Sequence, residues 1–314
     1  NKLFCLFSLL SMVFTASGNV EWLYYKEYPW VWDNKTEDWL YLRGGEDGKI
    51  YAYRNSTTEW EEFNVQEEEN TWKEQYAEWM QNPEPYGGLS VLQQIKDAKD
   101  SGATSLSLGD NNISDLSPIA GLTGLEELIV TGNQISDLSP LAGLTGLKHL
   151  NLWGDTPLSD LSPLAGLTGL EFLVLTGHQI SDLSPLAGLT GLETLGLMDN
   201  NISDLSPLAG LTMLKQLDLR DKNSISDLSP LAGLTGLETL ALISNSNNIS
   251  DLTPLAGLTG LTWLSLMTNE NIFDLSPLTG LTVLETLIII SKNDIPAFQK
   301  AMLEIKLPNT SILW

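Results

Sequence analysis

From residue 101 onward the hydrophobic positions fall into one frame that returns every 22 to 24 residues. Aligned on an Ile-Ser-Asp element, units begin at Ile113, Ile135, Leu158, Ile180, Ile202, Ile225, Ile249 and Ile272, with a terminal unit at Ile295. Each unit holds two hydrophobic periods. Leu128 and Val130 stand two apart, the alternation of a strand. Leu116, Ile119, Leu122 and Leu125 stand three apart, which suits a 3₁₀-like return turn, where residues i and i+3 eclipse. Ser117-Pro118 reads as cap plus first helical residue. Gly121 and Gly124 read as positions where the coil tightens and side chains would crowd. No unit can bury its leucines alone. Stacked units share one apolar core, each fully buried leucine contributing roughly 1.5–3 kcal/mol. The pattern predicts an α/β solenoid, with parallel strands on one face and short turns on the other.

The flanks follow other periods. In residues 20–64 the segments DWLYLR and KIYAYR alternate, separated by GGEDG, and predict short antiparallel strands with Gly, Asn and Ser in the turns. This region is rich in Trp and Tyr, from Trp22 to Trp60. Trp72, Tyr76 and Trp79 stand at helical spacing, with acids early. Pro83, Pro85, Gly87 and Gly88 then break the chain. Leu89, Leu92, Ile95 and Ala98 face one way on an amphipathic helix that shields the open end of the solenoid core. Residues 295–314 predict a helix and a final strand as the other cap. At the N-terminus, Lys2, an apolar run and TASG describe a secretory signal peptide over residues 1–18. The expected organisation is therefore 1–18 signal peptide, 19–66 aromatic β-hairpin module, 67–100 helical linker and N-cap, 101–294 repeats and 295–314 C-terminal cap.

Within a unit the frame is L-x-x-L-x-L-x-x-N-x-I, as in Leu125, Leu128, Val130, Asn133 and Ile135. This resembles the leucine-rich repeat family, in its short bacterial internalin-like class. The resemblance implies a horseshoe or arc with a parallel sheet on its concave face, 3₁₀-type turns on its convex face, and ligand binding on the concave side. The residues between the leucines form that face. Two apolar groups stand out there. One is Trp153, Phe172, Val174 and Met198; the other is Ile243, Trp263, Met267, Ile288 and Ile290. His149 also faces outward, and Arg220 sits between the groups. Contiguous exposed apolar area marks interaction surfaces, and Trp and Arg are enriched among binding hot spots. The candidate ligand-binding residues are thus His149, Trp153, Phe172, Val174, Met198, Arg220, Ile243, Trp263, Met267 and Ile288.

Two polar columns have structural readings. Asn111, Asn133, Asn200, Asn245 and Asn269 fall where a buried side chain can satisfy backbone groups of the neighbouring coil. His178 stands in this column as a substitute, not as a ligand or base. Asp155, Lys222 and Lys292 depart from it, and neighbouring Asn223 and Asn293 suggest one-residue shifts. Asp115, Asp137, Asp160, Asp182, Asp204, Asp227, Asp251 and Asp274 stack one per coil. Carboxylate rows can bind calcium. An Asp two residues before Ser-Pro also accepts local backbone N–H bonds, and that is the reading taken here.

Charge narrows the function. The net charge is −24, with 18 acids against 8 bases over residues 19–100 and 22 against 7 over 101–314. A field of this sign repels phosphate backbones and anionic membranes, which disfavours nucleic acid as a partner. Cys5 is the only cysteine, so the expected mature chain has no disulfide framework. With histidines only at 149 and 178, and no Gly-rich phosphate loop, no catalytic constellation forms. LPNTS near the C-terminus lacks the glycine of a sortase signal and the apolar span that would follow one. The chain reads as a non-enzymatic, secreted or cell-surface bacterial protein, a monomer without cofactor, metal or membrane span in its mature form. Its expected partner is a protein. The alternative is envelope polysaccharide held by the N-terminal aromatics, with the repeats as a spacer.

Overall fold

A computed structural model describes residues 30–33, 38–44, 50–54, 60–63, 66–154, 157–220, 223–243, 249–267, 272–290 and 294–314, with side chains from Trp72 onward. The expected signal peptide, Asp155, Lys222, Asn245, Asn269, Lys292 and Asn293 lie outside the described residues.

The N-terminal region forms an antiparallel meander of β1 (Trp30–Asp33), β2 (Asp38–Gly44), β3 (Ile50–Arg54) and β4 (Trp60–Phe63). The two strands expected from alternation, β2 and β3, pair as Tyr41↔Tyr53 and Arg43↔Tyr51. The two outer strands complete one cross-strand row at positions Trp30, Tyr41, Tyr53 and Trp60.

Two helices follow, α1 (Gln66–Trp79) and α2 (Leu89–Ser101). Trp72 and Trp79 are buried, and Tyr76 stacks on Trp72 at 5.2 Å. The buried face of α2 is Val91, Leu92, Ile95 and Ala98. Leu89 was expected on that face, but it is the first helical residue and is exposed; Val91 takes its place. A left-handed Gly102 ends α2 and turns the chain into the sheet.

The repeats and the C-terminal cap together supply ten parallel strands in sequential order: β5 (Ser105–Ser107), β6 (Glu127–Ile129), β7 (His149–Asn151), β8 (Phe172–Val174), β9 (Thr194–Gly196), β10 (Gln216–Asp218), β11 (Thr239–Ala241), β12 (Trp263–Ser265), β13 (Thr286–Ile288) and, from the cap, β14 (Ser311–Leu313). Each coil returns through a 3₁₀ turn, from Ser117–Ile119 in the first to Ser276–Gly280 in the last. The frame leucines of these coils form one continuous buried core. Helix α3 (Ala297–Lys306) packs against the last return turn and buries Leu303.

The ladder works as its chemistry requires. Asn133 accepts from the backbone N–H of Ile113 (2.9 Å) and donates to the carbonyls of Leu108 (2.8 Å) and Val130 (2.9 Å). Asn200 accepts from Ile180 N–H and donates to Leu175 and Met198. Asn223, shifted by one residue, does the same between Ile202, Leu197 and Leu219. His178 is buried in the column, its Nε2 2.6 Å from the carbonyl of Leu152. A carbonyl only accepts, so this nitrogen carries the proton.

Two local readings need correction. The serine of Ser-Pro does not cap the turn. Ser117 is its first residue, and the Asp115 carboxylate accepts both the Ser117 N–H (2.8 Å) and its hydroxyl (2.6 Å). Gly121 is small for another reason than coil tightening: a Cβ there would lie 2.8 Å from the ring of Trp72, whose Nε1 donates to Pro118. Gly124 faces open space, and in later coils Met213 and Val283 occupy its frame position as exposed side chains.

The Asp column is therefore a row of turn acceptors, each bonding the N–H two residues on, through to Asp274 and Ser276 (2.9 Å). These bonds, from the backbone and hydroxyl of Ser or Thr, hold the carboxyls of Asp160, Asp182, Asp204, Asp227, Asp251 and Asp274 below their ordinary value of 3.8. A depressed folded-state pKa adds stability above the unfolded value and loses it as pH falls through the folded one. The melting temperature should therefore drop once pH falls below 3.8. A melting curve series unchanged across that range would remove the column from the stability of the fold.

Candidate binding surface

The strand register places the outward residues in rows across the concave face. The middle row runs Ile129, Asn151, Val174, Gly196, Asp218, Ala241, Ser265, Ile288 and Leu313. Adjacent strands stand about 4.8 Å apart, so side chains in one row touch or leave gaps according to size alone. Gly196 and Ala241 flank Asp218 and leave such a gap.

The result is a hollow of about 360 Å³ in the centre of the sheet, between β8 and β12. Val174, Met198 and Trp263 form its apolar walls, and Thr194, Gln216 and Thr239 line one side. Thr176 is buried there at 4% exposure, and its Oγ1 has no hydrogen-bond partner. Arg220 lies over the floor. Its Nε is 2.9 Å from both carboxylate oxygens of Asp218, and its Nη2 is 2.6 Å from Oδ2 and 2.9 Å from the Met198 sulfur. The guanidinium and carboxylate neutralise each other at the centre of an otherwise acidic molecule.

Of the sequence-derived site residues, Val174, Met198, Arg220 and Trp263 meet at the hollow. Phe172 stands beside it on β8, its ring edge-on to His149 at 6.0 Å. Trp153 follows β7 and is 59% exposed, the most open aromatic ring among the described residues outside α3. Ile243, Met267 and Ile288 are half-buried and continue the apolar surface towards the C-terminal end. Leu313 on β14 extends this second group beside Ile288 and was not identified from the repeat frame. The hollow-forming Gly196, Ala241 and Thr176 were also missed. The signal for Gly196 and Ala241 is a small residue at the same frame position in two coils, one on each side of the coil that holds Asp218.

Among the described residues, no group of three or more His, Cys, Asp or Glu side chains is placed to hold a metal ion. No helix among them is long and apolar enough to cross a membrane.

Comparison with known proteins agrees with this architecture. The family model for leucine-rich repeats in two copies matches residues 104–143, 123–166, 145–188, 168–210 and 212–257. The fold is similar to an internalin, InlF, of Listeria monocytogenes, at 37% identity and a TM-score of 0.61, covering 70% of this chain and 69% of that one. It is similar to internalin C2 of the same organism at 37% identity and a TM-score of 0.58, covering 63% of this chain and 91% of that one. A leucine-rich repeat protein of Leptospira interrogans shares the fold at 23% identity and a TM-score of 0.57, covering 67% and 60% of the two chains. Curated protein sequences give no match. With its repeat frame, its asparagine ladder and two relatives at this identity, the chain belongs to the internalin-like leucine-rich repeats.

Proposed function

We propose that this protein is a non-enzymatic binding module that acts outside the cytoplasm and grips a protein ligand on its concave face. The observation that carries the reading is the central hollow, walled by Val174, Met198 and Trp263 and floored by a neutralised Arg220–Asp218 pair. It is a ready socket for a large apolar side chain, ringed by Trp153, Phe172 and Ile288 for shallower contact. The acidic body around it favours a ligand with basic flanks, because complementary charge raises the rate of encounter. What supports export is the Lys2-led apolar run, which has the pattern of a secretory signal peptide.

A second reading has its own observation. The cross-strand row Trp30, Tyr41, Tyr53 and Trp60 runs through all four strands of the N-terminal meander. Rows of aromatic positions suit stacking on sugar rings, so the meander is the candidate contact for envelope polysaccharide. One experiment separates the two. The chain is immobilised and offered host-surface protein and purified envelope polysaccharide, beside a Trp153→Ala/Trp263→Ala variant. Loss of protein capture in the variant is the expected result. Protein capture that survives both substitutions sinks the concave-face reading. Polysaccharide capture that survives them, alone, supports the second.

A further inference from the structure

The two ends of the solenoid are closed differently. At the N-terminal end, α2 turns a polar face outward, with Gln93, Asp97 and Asp100 exposed and Lys96 paired to Asp100. Gln94 Nε2 donates to the Ser107 carbonyl of the terminal strand β5 (3.3 Å), which blunts that edge. A polar outer face is what keeps a repeat array soluble as single molecules.

At the C-terminal end, α3 does the opposite. Leu303 faces the core and is fully buried, and Gln299 Oε1 accepts from Leu275 N–H (3.1 Å). At about 100° per residue, Phe298 and Ile305 point opposite to Leu303. They are 68% and 76% exposed, the two most exposed large apolar side chains among the described residues. Ala297 and Ala301 are exposed beside them. Next to this helix, β14 is the last strand in the order of the sheet among the described residues, and Ser311, Ile312 and Leu313 carry neither charge nor proline.

We infer that the outward face of α3 is a self-association surface, and that its occupant is α3 of a second copy of this chain. Charge is the first argument. Residues 295–314 hold two lysines against one glutamate, in a chain of net charge −24. Two copies repel least where their surfaces are least acidic, and this helix, whose one acid is Glu304, is such a place. Lys300 lies over the Trp314 ring, 5.1 Å from its centroid, and the Phe298–Ala301–Ile305 stripe bears no charge.

The second argument is self-complementarity. A two-fold contact presents the same patch from both sides, so residue i meets j and j meets i. Centred between Ala301 and Met302, an antiparallel helix pair sets Phe298 of one copy against Ile305 of the other, twice. The alanine in the middle lets the two backbones approach. Large residues at the ends and a small one at the centre form a pattern that fits its own reverse. This proposal departs from the monomer expected from the sequence.

Sedimentation velocity of the full chain over a wide concentration range tests this. The expected result is a reversible doubling of mass, weakened by about 30-fold or more in Phe298→Glu/Ile305→Glu, the loss typical of a hot-spot pair. Both positions are exposed, so the folded variant should keep its circular dichroism and melting profile at low concentration. A Leu89→Glu change at the opposite cap should leave the dimer intact. Three results overturn the proposal: a parent that stays monomeric throughout, a double variant that dimerises like the parent, or a monomer that instead floats with phosphatidylcholine vesicles through the same two residues. None of these bears on capture by the concave face, which is read by a different assay.

Discussion

Replacing Asn200 with alanine is expected to destabilise the solenoid by on the order of 3 kcal/mol, since each buried polar group left without a partner costs about 1–3 kcal/mol. The side chain is fully buried and holds three backbone groups from two coils: Ile180 N–H at 3.1 Å, Leu175 C=O at 2.7 Å and Met198 C=O at 3.1 Å. Water cannot replace it in a column packed between leucines. Asn200→Asp is the sharper variant. It keeps the shape and the acceptor for Ile180 but loses both donors, and sets a carboxylate against two carbonyls. It should be at least as damaging as alanine. Asn201→Ala, at the exposed neighbouring position, should stay within about 0.5 kcal/mol of the parent. Urea unfolding followed by far-ultraviolet circular dichroism reads all three. If Asn200→Ala and Asn201→Ala unfold at the same midpoint, the ladder is not what joins the coils. Because each coil touches only its neighbours, the damage should also reduce cooperativity between the segments on either side of Asn200.

The ladder was legible because its chemistry repeats in sequence. A buried side chain that must both donate and accept has few candidates, and asparagine at a fixed frame position is the strongest of them. The same logic located Asn223 one residue late, and the structure finds it fully buried with the expected bonds. The concave face was legible for a similar reason, since alternation fixes which residues point outward. What escaped depends on neighbours far away in the chain. Gly121 is small because Trp72, 49 positions earlier, lies on it, and nothing in the repeat announces that. The acceptor was read correctly as the aspartate, but the serine was placed one position early, as the cap: Ser117 is the first residue of the turn, and its own N–H goes to the Asp115 carboxylate. The hollow arises where Gly196 and Ala241 happen to flank Asp218 across the sheet. Arg220 was expected to reach a ligand directly, yet a carboxylate two residues before it on the same face engages it first.

Filling the hollow should abolish high-affinity capture while leaving the fold intact. Ala241→Trp introduces an indole into the hollow that Ala241 lines together with Met198, Asp218 and Trp263. Ala241 is 3% exposed, but its Cβ lies on the open concave side and not in the leucine core, so the added ring enters the groove. The hollow of about 360 Å³ accommodates one such side chain without moving a strand. An occupied socket can no longer take the partner's anchor. Anchors seated in central pockets contribute 2 kcal/mol or more, so the dissociation constant should rise by roughly 30-fold or beyond. The rise should come from faster dissociation more than slower encounter, because the acidic periphery that guides approach is unchanged. Met213→Trp, on the exposed return turn, adds the same ring outside the face and should leave affinity as it was. Titration calorimetry or surface capture on the two variants gives the comparison. Equal affinity for parent and Ala241→Trp, with both folded, would move the binding site away from the hollow and onto the outer apolar group around Trp153. Partial loss in both variants would instead mean that a ligand wraps the coil and touches its two faces, a geometry in which no single socket dominates.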